Sequence, residues 1–200
     1  MEVIVGDDGV ARCWWGAEPE IYRDYHDTEW GRPTTDDHLL FEKICLEGFQ
    51  AGLSWLTILR KRANFRSAFD DFDPKKVVLY GEPEVDNLLR NEGIVRHEGK
   101  IRSTINNAAR ALEIAEEHGS LSTYFWSWAP APRPAPTEIP AVTETSTALS
   151  KDLKQRGWSF VGPTTVYAFM QAMGLVNDHL TGCYVREPSA AERRSLVSDS

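Results

Sequence analysis

The feature that most narrows what this chain can fold into is helical periodicity, bounded repeatedly by residues that start and stop helices. From Asp36 onward, Leu40, Phe41, Ile44 and Cys45 keep one apolar face, with Asp36 or Asp37 as the cap and an end expected near Glu47 and Gly48. Ser54 can cap the next run, which sets Leu56, Leu59 and Ala63 on one side. A short helix opens at Pro83 and stops by Gly93. A longer one carries Ile101, Ile105, Ala108, Leu112 and Ala115 on one stripe and ends at Gly119, and another runs from Pro163 to Gly174. Two-residue alternation is nowhere sustained, so the expected fold class is all-α.

A chain of 200 residues suits one compact domain with a real core. Residues 129–140 hold five prolines and cannot continue a helix, so an extended surface connection is expected there. The organisation expected is a flexible segment 1–11, a folded domain 12–186 with a connection 129–147 inside it, and a polar tail 187–200. No apolar run is long enough to span a membrane, and the first ten residues lack a signal-peptide pattern; a cytoplasmic monomer is expected. Three cysteines in such a chain argue against a disulfide framework. The net charge of −8 argues against nucleic acid when taken whole, yet residues 96–110 set Arg96, Lys100, Arg102 and Arg110 against Glu98 alone.

Two constellations carry chemistry. Cys13, His26, His179 and Cys183 have the donor types that zinc takes in closed structural sites, and His179 and Cys183 would share a side if they lay on one helical turn. The competing reading is that the thiols are small core residues, as Cys45 is taken to be. His38, His97 and His118 read as solvated or capping. The stretch from Leu88 to Ala108 has the layout of two helices around a turn bounded by Gly93 and Gly99. Such a turn and the next helix N-terminus can face a phosphate, with Arg96 and Lys100 adding charge; packing alone is the competing reading.

Taken in order, the segments RCWWG, YHDTEWG, ICLEGFQAGLSW, GIVRHEGKI, LSKDLKQRG and GLVNDH resemble the bacterial 3-methyladenine DNA glycosylase I family over residues 12–184. The resemblance implies a helix-hairpin-helix glycosylase fold and hydrolysis of the N-glycosidic bond of 3-methyladenine in double-stranded alkylated DNA, leaving an abasic site. It implies one structural zinc on Cys13, His26, His179 and Cys183, tying the N- and C-terminal segments together. It also implies a base pocket on Trp15, Tyr25, Trp30, Glu47 and Trp55, with Glu47 and Tyr25 closest to the chemistry. Gln50, Gly52 and Leu53 then form a loop at the DNA, with Leu53 as the wedge for the gap left by the flipped base. Gly93, Arg96, Gly99 and Lys100 become backbone contacts.

Without the family, Glu47 reads as a helix-end acid making a capping bond. Many superfamily relatives place an aspartate after the hairpin; here that helix offers Ser103, Asn106 and Asn107. Tyr22, Tyr124 and Trp128 stay open between pocket edge and core. Two rival functions remain at this point: a zinc hydrolase with Glu47 as general base, and a module that recognises damaged DNA without cleaving it.

Overall fold

Asp36 accepts hydrogen bonds from the amides of His38 and Leu39, and Ser54 accepts one from Thr57, so two expected caps set the starts of α2 (Asp37–Gln50) and α3 (Trp55–Ala68). The computed structural model describes residues 2–198. Besides α2 and α3 it contains β1 (Val3–Val5), β2 (Ala11–Cys13), α1 (Glu20–Thr28), α4 (Pro74–Val77), α5 (Glu82–Arg90) and α6 (Glu98–His118). The chain continues through α7 (Leu121–Trp126), α8 (Glu144–Gln155), α9 (Pro163–Ala172) and α10 (Arg186–Ser198). No helix among the described residues is long and apolar enough to cross a membrane.

The centre is α2. Every residue from Leu40 to Phe49 is buried, and α3, α6, α7 and α9 pack around it. Phe49 meets Phe65 of α3 with ring centroids 4.6 Å apart, and Phe69 and Phe72 stack at 5.4 Å beyond them. The helix runs on to Gln50, past the end expected near Glu47. Lys100 of α6 supplies the reason: its ammonium donates to the carbonyls of Phe49 and Ala51 at 2.9 and 2.6 Å, satisfying acceptors that a helix end leaves open.

Four expectations need correction. The fold is mostly helical, but β1 and β2 pair antiparallel, with Ile4 opposite Arg12. Gly9 turns the hairpin at φ +75°, and Asp8 accepts from the Val10 amide. The segment expected to be loose is therefore tied down, and Arg12 fastens it to Asp27 at 2.8 Å. The expected polar tail 187–200 is mostly α10, anchored by a Glu192 to Arg32 ion pair at 2.6 Å and by Arg193 donating to the Pro130 carbonyl at 2.5 Å. Met1, Asp199 and Ser200 lie outside the described residues. Finally, the proline-rich connection ends before the expected 147, because Thr143 and Ser146 cap α8 reciprocally.

Gly174 ends α9 at φ +73°, where a Cβ would lie 2.6 Å from the Pro33 nitrogen. Gly119 has φ +88° but open space around it. Gly174→Ala is therefore expected to lower the unfolding free energy by about 3 kcal/mol, and Gly119→Ala by about 1 kcal/mol. Urea titration of both variants checks the difference; equal losses would mean that the approach to Pro33 relaxes freely.

Candidate active site

One cleft gathers the aromatic residues. Its volume is about 590 Å³, and its walls are Trp15, Tyr22, Tyr25, Trp30 and Trp55, with Glu47 and Gln50 from the last turn of α2. Local structure explains the convergence. Trp15 sits in a 3₁₀ turn after β2, and Tyr22 and Tyr25 are one turn apart on α1. Trp30 folds back just past α1, its amide on the Tyr25 carbonyl at 2.9 Å, and Trp55 opens α3 behind the Ser54 cap. Tyr25 and Trp55 lie 5.4 Å apart, and Trp15 meets Trp30 edge-on at 4.8 Å.

Glu47 is buried within this aromatic wall. Burial pushes its carboxyl up to about 7, against a pull downward from Lys43. The indole N–H of Trp55 is buried with no acceptor among the described residues. Trp14 and Glu18 before α1, Ile139 from the proline-rich connection, and Ala168 and Gln171 from α9 also line the cleft.

Behind the cleft lies a set of charges that periodicity did not reveal. Lys43 is fully buried. Its ammonium donates to the Tyr25 hydroxyl at 3.0 Å, sits 4.5 and 4.6 Å from the Tyr25 and Trp55 ring centres, and pairs with Glu29 at 2.9 Å. Glu29 also pairs with Arg62, which reaches Glu42 at 2.7 Å, and Arg66 closes on the same carboxylate at 2.8 Å. The signal was present in FEKICLEG, where three charged residues interrupt a run that is apolar on every side.

The metal-like residues also converge. The donor atoms of Cys13, His26 and Cys183 lie within 4.8 Å of one another, all buried, and these three could hold a metal ion. His26 Nδ1 lies 2.8 Å from the Asp27 carboxylate, which must accept, so Nε2 is left facing Cys183 at 3.4 Å. The His179 ring centre is 5.2 Å from that of His26; its Nδ1 lies 3.1 Å from the Asn177 amide oxygen, and its buried Nε2 has no hydrogen-bond partner among the described residues. The donors that fall together are thus two thiols and one imidazole, a set that suits a metal ion; His179 stands beside them, outside that spacing. His179 and Cys183 do not share a helical turn as expected. The segment is a loop, tightened by the Cys183 amide donating to the Leu180 carbonyl at 3.0 Å. The group lies behind Trp15 and Trp30, outside the cleft that holds Glu47, which removes the geometry a metal hydrolase would need.

The residues expected at DNA fare unevenly. Gly52 adopts φ +81° in the loop after α2, and Leu53 is an exposed apolar residue there. Lys100 contradicts its expected role as a phosphate contact: it is 6% exposed and spends its ammonium on α2 carbonyls. The Gly93 amide is taken by the Asn91 side chain. Gly99 lies in the first turn of α6, where amides lack intrahelical partners. The basic stretch is thinner than its composition: Arg102 pairs with Glu82 and Glu98, Arg110 with Glu113, and exposed Arg96 lies 3.8 Å from Glu92. His97 caps α6, as one of its expected readings held. Ser103 and Asn107 are buried and bond to Ser159. Tyr22 borders the cleft, Tyr124 is core, and Trp128 packs against that core.

A helical body with a ring-walled recess and a buried acid within it is the architecture of a protein suited to enclosing a flat ring. The chain belongs to the methyladenine glycosylase family, whose pattern matches residues 14–187. It is 50% identical over 179 residues to DNA-3-methyladenine glycosylase 1 of Escherichia coli (strain K12), covering 87% of this chain and 96% of that one. It is 48% identical, over 87% of this chain and 97% of the relative, to the DNA-3-methyladenine glycosylase of Haemophilus influenzae. A crystal structure of a tyrosine-to-phenylalanine variant of 3-methyladenine DNA glycosylase I in complex with 3-methyladenine superposes with a TM-score of 0.83 at 38% identity, covering 88% of this chain and 97% of that one.

An acid that ionises less readily folded than unfolded binds more protons in the native state. Its contribution to stability therefore falls as pH rises from the ordinary carboxyl range through about 7. Glu47→Gln is expected to raise the unfolding free energy by about 2 kcal/mol at pH 8 and far less at pH 5. Urea titrations at both pH values check this, and a gain independent of pH would rule out charge burial as its source.

Proposed function

We propose that the cleft receives 3-methyladenine everted from double-stranded DNA and that the N-glycosidic bond is cut there by water, leaving an abasic site. As a member of its family the chain is a DNA glycosylase, an enzyme acting on N-glycosyl bonds. One observation carries the assignment to this cleft: the Glu47 carboxyl is buried within the same recess as the rings of Trp15, Tyr25, Trp30 and Trp55. A methylated adenine still attached to its sugar is a cation. Electron-rich ring faces and a carboxylate both favour it over neutral adenine. Glu47 accepts from the base edge, Tyr25 orients the base, and the unpartnered Trp55 N–H offers one further donor.

The base departs neutral, so no strong general acid is required, and most of the rate comes from extrusion, selective binding and exclusion of other bases. On this reading Gln50, Gly52 and Leu53 approach the duplex, with Leu53 filling the vacated stack. The first-turn amides of α6 around Gly99, with Arg96 nearby, take a backbone phosphate, so α5 and α6 act as a helix-hairpin-helix; Lys100 holds the loop instead of the phosphate. We assign one zinc ion to Cys13, His26, His179 and Cys183. Four protein ligands leave it no open position, so it contributes cross-linking and no chemistry. The protein acts as a cytoplasmic monomer.

Chromatography of bases released from methylated DNA tests the assignment. Wild type should release 3-methyladenine, and Glu47→Gln should lose roughly 100-fold in kcat/KM at pH 7.5. Binding of methylated DNA with no free base released would instead describe a non-cleaving recognition module. For the metal, the purified chain should carry one zinc that is lost in Cys183→Ser together with a lower Tm. A stoichiometric ion retained by that variant would refute the ligand set.

A further inference from the structure

Lys43 stands against the cleft wall, and the chemistry proposed for the cleft gives it no task. Its ammonium is fully buried, yet ordinary packing would favour an apolar side chain at that place on α2. Three contacts define its position. It donates to the Tyr25 oxygen at 3.0 Å, which leaves the phenol's own hydrogen free to point elsewhere. It lies against both the Tyr25 and Trp55 rings, at 4.5 and 4.6 Å from their centres. It is also one helical turn before Glu47, on the same side of α2.

The charge balance points the same way. Lys43, Arg62 and Arg66 are joined to only two carboxylates, Glu29 and Glu42. The network is neutral only when Glu47 is ionised. The charged groups that act on Lys43 are Glu29 from the turn after α1, Arg62 from α3 and Glu47 from its own helix, with neutral Tyr25 in direct contact.

We propose that Lys43 is a positioning residue of the base pocket: from behind the rings it fixes the Tyr25 hydroxyl and sets, one helical turn from Glu47, a positive charge that favours the ionised carboxylate. The inference rests on the assignment of the cleft as the base site. It makes the pocket a paired device, in which the acid that meets the substrate cation is held ready by a cation the substrate never touches.

The test is the pH profile of kcat/KM for 3-methyladenine release by wild type, Lys43→Met, Lys43→Gln and Glu47→Gln, with near-UV circular dichroism verifying the fold of each. In wild type the acidic limb should lie near the Glu47 value of about 7. Lys43→Met should move that limb upward by about one pH unit and lower activity roughly fivefold at pH 7, with most but not all of it recovered above about pH 9. Lys43→Gln can still donate to Tyr25 but carries no charge, so it should move the limb as far while losing less at high pH. It also stands in if the methionine variant does not fold. A folded variant at Lys43 with the wild-type limb overturns the proposal, and so does a uniform loss at every pH, which a merely structural role would give. If Glu47→Gln kept wild-type activity and profile, the pocket assignment itself would fail. An inactive Glu47→Gln beside unaltered Lys43 variants would cost only the present inference.

Discussion

The central helix buries Glu42, Lys43 and Glu47, and the rest of the structure is arranged to answer that burial. An unpaired buried ion costs several kcal/mol, so each needs a partner at close range. Glu29, Arg62 and Arg66 provide it for Lys43 and Glu42, and they come from different places: the end of α1 and two turns of α3. Satisfying the charges therefore fixes α1, α2 and α3 in one relative placement. That placement also decides the pocket, because Trp30 follows Glu29 directly and Trp55 opens the helix that carries Arg62. The aromatic walls stand where they do because the electrostatics behind them admit few alternatives.

The second wall has a different support. Trp15 and Trp30 are each followed by a glycine, and each glycine makes room for a histidine of the metal-like group. A Cβ on Gly16 would overlap the His26 ring, and one on Gly31 would lie 2.6 Å from His179. The tryptophans then lean edge-on against the same rings, Trp15 on His26 at 5.3 Å and Trp30 on His179 at 4.7 Å. Arg12 holds Asp27, which orients His26, so the N-terminal hairpin feeds into the same support. A cross-link at these residues and the shape of the recess form one mechanical unit, although the residues that would hold the ion do not line the cleft.

Much of this was legible in the sequence, and what escaped did so for physical reasons. Caps with side-chain oxygens were readable at Asp36 and Ser54 because the bond is local. The start of α1 was not, because Pro19 offers no capping oxygen. The hairpin at the N-terminus was hidden because three-residue strands give no alternation to count. α10 reads as a polar tail because it packs through Ser189 and Arg193 instead of an apolar stripe. The pocket residues were placed by their likeness to a family, since neither spacing nor periodicity brings residues from β2, α1, α2 and α3 to one point. Lys100 was misjudged for the same reason: a lysine in a glycine turn looks available until the carbonyls it satisfies, far away in sequence, are seen.

On the proposed assignment of the cleft as the base site, selectivity for a cationic base follows from the carboxyl's unease. At pH near 7 Glu47 is poised between its two forms, because burial resists the charge that Lys43 invites. A positively charged ring entering the recess tips that balance and is bound more tightly for doing so. At an effective dielectric of about 20, a unit pair roughly 4 Å apart is worth about 4 kcal/mol, close to a thousandfold. Neutral adenine gains none of this and still displaces whatever solvated the acid. The same desolvation that makes Glu47 costly in the free protein thus becomes the means of telling a lesion from its parent base. A more comfortable acid, exposed or fully paired, would stabilise the fold and discriminate less.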